Sequence, residues 1–433
     1  MNIRHIALLV FAATLAGATA QAFAPNNLFP PYDPNLRLPS WEDRNFWKKS
    51  AWRLGLNVEF GSTDHGRAFD DHEANVLQLY DETQAAIPML MNTKNIPATN
   101  FLQSLAAAYP GQPLDDGTRG HVKFSGHFDS VDVTLHGRYW LPIDFVPGYV
   151  SLNVALPIRR VEIDNPRFED LTKEIFAVDL DIKQNLTRAA IFAQQIKQWG
   201  NLDIGAWSET GVGDLVVWLE WQNNYRQEKE NLKNVNIFAK AGVTAPTASK
   251  RDEDRAFSMS LGNDGAWGIP FGLGLGLDFI YNIHAGLDAE FLVLFDETRT
   301  RRLKTEIHQT EFLLLNKGEA TKEHGLTWKF NLYAQWYHFW RGLSVKCGYH
   351  YVKHDDDRLS ASTNDFSYTV INSAHSLLEW NMHHLIFQVN YDLFHETRDY
   401  FLKPQFSIFY KLPLAGKGVI QPHAFGGQIA FNF

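Results

Sequence analysis

A single cysteine, Cys347, stands in 433 residues, so the chain has no intrachain disulfide framework, no CxxC redox pair and no cysteine-based zinc site. Nor is there a cysteine near the start to carry a lipoprotein anchor. Positive charge is in deficit too: 40 Lys and Arg face 49 acidic residues, a net charge of −9. A nucleic-acid partner is therefore not expected. With 45% hydrophobic and 21% charged residues, the composition excludes a disordered or fibrous chain. Beyond residue 24 no window offers the ~18 uninterrupted apolar residues of a membrane helix. Any membrane span must then be made of strands.

The first residues read as an export signal. Arg4 and His5 supply the polar start, Ile6 to Leu15 the apolar stretch, and Ala18-Thr19-Ala20 the small-residue cleavage site. Cleavage is expected after Ala20, with Ala20-Gln21-Ala22 a close competitor. This divides the chain into a signal peptide over 1–20, an N-terminal extension or lumen plug over 21–50, and one β-barrel over 51–433.

From Ala51 onward the governing pattern is alternation with a period of two. Trp52, Leu54, Leu56, Val58 and Phe60 point one way, and Arg53, Gly55, Asn57 and Glu59 the other. The pattern returns at 131–141 and then predicts strands at 148–163, 214–225, 235–244, 268–280, 285–296, 326–337, 343–353, 382–394, 402–411 and 419–433, twelve with the first. Connections alternate between short and long, and the long ones follow strands one, three, five, seven and nine. An up-and-down antiparallel barrel with short turns at one end and long loops at the other has this asymmetry. The fold class expected is all-β: a transmembrane barrel of about 12 strands with long extracellular loops containing some helix. Within the second long loop, Asn185 is a plausible N-cap for a helix running to about Trp199.

Aromatic residues gather near the short turns: Tyr139, Trp140, Tyr149, Tyr225, Tyr281, Tyr337, Phe339, Trp340, Phe394, Tyr400 and Phe401. Amphipathic rings collect where hydrocarbon meets water, so one interfacial girdle is expected. Phe425, Gly427, Ile429, Phe431 and the terminal Phe433 share a face of the last strand, which in a closed barrel must pair with the first. This ending resembles the C-terminal signature of bacterial outer-membrane proteins. The resemblance implies that Phe425, Ile429, Phe431 and Phe433 form a signal read by the barrel assembly machinery, and that lipid and lipopolysaccharide are the surroundings.

If the apolar faces meet lipid, the opposite faces line an interior. Parity assigns to it Arg53, Glu59, Asp132, Arg138, Asp214, Glu220, Lys240, Asp278, Asp288, Glu290, Lys329, Lys346 and Asp392, eight acids against five bases. Ionised groups in such numbers cannot lie in a dry apolar core, so they must face water or one another. They are the expected lumen-lining and selectivity residues, whether they conduct a small-molecule solute or brace the wall as pairs. Gly268, Gly272, Gly274 and Gly276 share an inward face, which would admit an inserted segment, from 25–50 or the first long loop, or mark a sharply coiled strand.

The run Lys240 to Ala248, followed by Ser260-Leu261-Gly262-Asn263-Asp264-Gly265 and the glycine-rich strand, resembles a segment of the barrels of aromatic-degradation pathways, which are similar to the long-chain fatty-acid transporter family. That resemblance implies passive uptake of hydrophobic small molecules. Other motifs carry less. Asp355, Asp356 and Asp357 lack the glycine turn and terminal glutamate of a calcium loop, and Arg299, Arg301, Arg302 and Lys304 read as a solvated loop in preference to a site for lipopolysaccharide phosphates or an anionic solute. His383 and His384 fall on opposite faces of a strand, so no metal is expected there. An outer-membrane lipid hydrolase would need a nucleophile and a base in contact, but Ser344 and His350, on one strand face, are separated by ~20 Å at ~3.3 Å per residue. The expectations are an outer-membrane channel without cofactor or catalytic residues, with a non-conducting structural or adhesive barrel as the alternative.

Overall fold

The computed structural model describes residues 51–143, 147–393 and 403–432. The expected signal peptide, the 21–50 extension, Phe394, Tyr400, Phe401 and Phe433 lie outside the described residues. Twelve strands form the wall: β1 (Trp52–Thr63), β2 (His121–Leu141), β3 (Tyr149–Asp170), β4 (Leu215–Arg226), β5 (Leu232–Ala245), β6 (Gly268–Phe279), β7 (Ile283–Leu294), β8 (Thr327–Trp340), β9 (Leu343–His354), β10 (Trp380–Asp392), β11 (Lys403–Lys417) and β12 (His423–Asn432). Each pairs antiparallel with its neighbours in the chain, and β12 closes on β1 from Arg53↔Asn432 to Ser62↔His423. Closure leaves the wall without a free edge, the condition for a strand-built membrane span.

Two of the short connections are tight because their backbones turn through successive left-handed residues. Tyr281 and Asn282 between β6 and β7 both have positive φ, 59° and 57°, as do Arg341 and Gly342 between β8 and β9. Two successive left-handed residues match the right-handed twist of the flanking strands.

The long connections, 64–120, 171–214, 246–267, 295–326, 355–379 and 418–422, stand at the other end and fold together into a crown. β2 and β3 carry it. They have 21 and 22 residues, about twice what a tilted membrane strand needs, and stay paired as far as Val122↔Asp170. From their upper halves Val122, Phe124, Phe128, Val161 and Ile163 enter an apolar core shared with Leu77, Ile87, Ile182, Phe192, Phe257, Leu313 and Ile420, so five of the six long connections contribute. Phe257 lies edge-on to Phe124 and Phe312, with ring centroids 5.7 and 5.2 Å apart. Two small sheets stitch the rest: His65–Arg67 pairs with Glu73–Asn75 and Val419–Ile420, and Lys317–Glu323 with Glu297–Arg302 and Arg358–Ala361.

One local expectation needs correction. Asn185 does not cap a helix. It sits in a π-turn, Lys183–Thr187, directly after the helix Ala177–Ile182, and a further helix spans Ala189–Gly200. Its side chain bonds Asp181 one turn back, so the amide serves helix continuation and not initiation.

Candidate functional site: the charged barrel interior

Parity along each strand sorts side chains into two environments. On β6 the burial alternates almost without exception, with Gly272, Gly274 and Gly276 inside and Leu273, the most exposed at 61%, outside. Leu219, Leu287, Leu332, Phe387, Ile408 and Phe425 are likewise exposed around the wall. A continuous apolar exterior of this kind is matched to hydrocarbon and not to water.

Of the thirteen ionisable residues assigned inward by parity, all but Glu59 and Asp132 are buried, and those two are half-buried. Ion pairs join them across the wall. Glu290 of β7 lies between two ammonium groups, 2.6 Å from Lys329 of β8 and in contact with Lys240 of β5. Lys240 reaches it across β6 because Gly272 has no side chain. A Cβ there would lie 2.5 Å from the Ala289 carbonyl and 3.2 Å from Lys240 itself. The same absence lets the Phe238 ring cover Gly274 and Asn236 cover Gly276. The inward glycines therefore receive side chains of β5, where an inserted segment or a coiled strand was expected.

The remaining pairs extend this pattern. Asp278 bonds His284 at 2.9 Å, Asp288 accepts from Asn331 at 3.3 Å, and Asp392 lies 3.8 Å from His338. Arg138 donates to Asn153 at 2.8 Å, stacks over Trp140 and stands 4.0 Å from Glu220. Arg53 is opposite Arg138 in the register, and Lys346 lies over the Tyr333 ring. Two basic partners were missed from sequence. Arg159 bonds Asp132 at 2.6 Å and Lys411 bonds Glu59 at 2.5 Å. Arg159 was obscured by the adjacent Arg160, since two consecutive arginines occupy opposite faces whichever parity holds. Lys411 stood at the margin of its predicted strand.

Asp214 behaves differently from the other twelve. Its carboxylate accepts backbone N–H bonds from Ala248 and Asn263, at 3.1 and 2.5 Å. Arg159 donates to the Leu261 carbonyl at 2.7 Å. These two charges anchor the third long connection inside the barrel mouth.

At the short-turn rim, Trp52, Tyr225, Tyr281, Trp336, Phe339 and Trp340 are exposed. Trp140 and Tyr337, expected in the same girdle, are buried. Each is adjacent to an outward ring, Tyr139 or Trp336, and alternation sends it inward, where Trp140 meets Arg138 and Tyr337 packs edge-on to His284.

The basic loop segment and Asp357 are not solvated, whereas Asp356 is exposed. Arg299 and Arg301 converge on Asp264 at 2.6 and 2.8 Å, and Arg302 spans Asp254 and four backbone carbonyls. Asp357 is buried, with Lys322 at 2.6 Å. Through His354, which bonds both Asp357 at 2.9 Å and Thr327 at 2.7 Å, it completes a hydroxyl, imidazole and carboxylate chain. All three residues are under 8% exposed, so a substrate carbonyl has no access to the hydroxyl. Ser344 accepts from the His338 amide, and His350 stacks on His384, six residues further along β9.

No protein-family model matches the sequence, and no curated protein matches it. Among solved structures it is similar to the COG4313 outer membrane channel from Pseudomonas putida F1, at 12% identity and a TM-score of 0.52, over 93% of this chain and all of that one. It is also aligned with the transport unit of the autotransporter AIDA-I from Escherichia coli (10% identity, TM-score 0.37, 94% of each chain) and with the CymD monoaromatic hydrocarbon channel (8%, 0.28, 89% of this chain and 88% of that one). Of these three, the first alone exceeds a TM-score of 0.5. At 12% identity it carries the fold, a closed twelve-stranded barrel of the outer-membrane kind.

Proposed function

We propose that this protein is exported to the bacterial outer membrane and acts there as a channel for passive uptake of small solutes, with the interior charges setting selectivity. The observation that carries the reading is the inversion of polarity across the wall: exposed leucines outside, and a girdled interior of ionised groups that need water or one another. The fold shared with an outer-membrane channel supports it, and the resemblance of the 240–265 segment extends it to hydrophobic solutes. Lys240, Lys329 and Lys346 are the cations through which selection would act. Planar-bilayer recording of the refolded protein is the test. Charge reversal, Lys346→Glu first, should shift the reversal potential in a salt gradient toward cation preference, and an unchanged potential removes that lysine from the conduction path.

The dense ion pairing and the crown's apolar core favour a second reading, a non-conducting structural or adhesive barrel. Silence across salts and voltages would select it. Ester hydrolysis finds no support in the Thr327, His354 and Asp357 chain, which is closed to substrate.

A further inference from the structure

The third, fourth and fifth long connections line a cleft in the crown. Its walls differ. Leu303, Leu359, Ile371 and Leu377 make one, and belong to a small apolar cluster that ties the fourth connection to the fifth. Arg251, Arg301 and Lys304 stand on the other.

Two of these cations, Lys304 and Arg251, are poorly compensated among the described residues. Lys304 is 5% exposed, yet its ammonium donates a single long bond, 3.4 Å, to the Ser373 carbonyl. Arg251 has one marginal bond, 3.5 Å, to the Ala256 carbonyl, and its buried Nε has no partner. Among the described residues neither is ion-paired. Arg301 spends its terminal nitrogens on Asp264 and Glu297 and leaves Nε buried without an acceptor. The acids lining the cleft do not fill these gaps. Asp264 and Glu253 are held by Arg299, at 2.6 and 2.9 Å. Glu311 feels Lys304 but makes no ion pair with it, and burial and the neighbouring Asp81 raise its pKa from the ordinary value. A buried cation without a counter-charge is costly unless a ligand supplies one.

We propose that this cleft binds a small amphipathic monocarboxylate, aromatic or short aliphatic, with its carboxylate between Lys304 and Arg251 and its hydrocarbon body against Leu359, Ile371 and Leu377. An inorganic anion would leave the apolar wall uncovered, and a neutral hydrocarbon would leave the cations as they are. The site goes beyond the channel reading and does not depend on it, since binding is measurable whether or not the lumen conducts.

The test is calorimetric titration of the full protein in detergent with benzoate, benzyl alcohol and phosphate. Benzoate should bind saturably at one site, and Lys304→Met and Arg251→Gln should each weaken it about tenfold or more, the usual loss for a hydrogen bond to a charged group. Benzyl alcohol and phosphate should bind at least tenfold more weakly than benzoate. Absence of saturable benzoate binding, equal binding by both variants, or phosphate binding as tightly as benzoate overturns the proposal. A readout free of variants is available in crystals of the unsubstituted protein soaked with 4-bromobenzoate. The anomalous bromine peak should lie against Leu359 and Ile371, and a peak elsewhere overturns the assignment.

Discussion

The barrel and the crown of this molecule bury opposite things. In the wall, leucines and phenylalanines face outward and charges face inward. Above it, on the same two strands, Phe124, Phe128, Val161 and Ile163 face inward and the charges are outside or paired. β2 and β3 pass through both regimes without a break in their pairing apart from one register shift near Gly126. Backbone geometry is thus indifferent to polarity, and the surrounding solvent decides which face is greasy. In the crown, water drives apolar groups together. In the wall, hydrocarbon removes that drive, and ion pairs and closed hydrogen bonding take over.

The largest expected effects sharpen this contrast from both sides. Glu290→Gln leaves Lys240 and Lys329 buried without their carboxylate, and removal of one partner of such a pair costs about 3–5 kcal/mol. Urea unfolding from liposomes should show the loss, and an unshifted midpoint would mean that the three groups are solvated. Phe257→Ala removes a fully buried ring from the crown core at a cost of about 3–5 kcal/mol. Limited proteolysis should then cleave the long connections while the barrel keeps its unheated mobility in SDS gels. Loss of both together would show that crown and wall fold as one unit.

An intermediate effect reverses the residue logic. Leu273→Arg, at the middle of an outward face, should cost about 2–4 kcal/mol in a bilayer. Leu273→Ala should cost far less than Phe257→Ala, because the leucine has lipid and no protein cavity beside it. Equal costs for the two alanine variants would place Leu273 in a protein interior.

The smallest effect is a pH dependence in the crown. His375 donates its Nδ1–H to the Tyr80 carbonyl at 2.8 Å and to Asp81 at 3.1 Å, joining the fifth long connection to the first. The Asp81 bond raises its pKa to about 8, against burial. A folded pKa above the unfolded one means that the stabilisation is complete below the ordinary histidine range and is lost as pH rises through about 8. Protease sensitivity of the fifth connection should therefore rise between pH 7 and 9 in the parent protein. His375→Ala should be sensitive throughout and flat with pH.

Much of the wall was legible because strand alternation is a local property. Twelve strands, their order and the inward set from Arg53 to Asp392 follow from a period of two, and closure of β12 on β1 follows from the need to leave no edge. Errors came where parity was ambiguous or competing. Arg159 was hidden beside Arg160, and Trp140 and Tyr337 were grouped with their outward neighbours by residue type. The crown was not legible, since its core takes one to several residues from each of five separated connections, and none of those segments has a period long enough to announce a face. Asp214 illustrates the limit: alternation places it inside, but its role as acceptor for Ala248 and Asn263 depends on where a distant loop returns.

The sequence by itself determined which residues face lipid and which face inward, because that choice is made residue by residue along an extended backbone. Tertiary structure decided who meets whom: Lys240 reaching Glu290 over Gly272, Phe257 meeting Phe124 and Phe312, and Lys304 buried in its cleft with a long bond to the Ser373 carbonyl. Partnership across strands and loops depends on register and on loop return, and those are settled only when the ring closes and the long connections pack on one another.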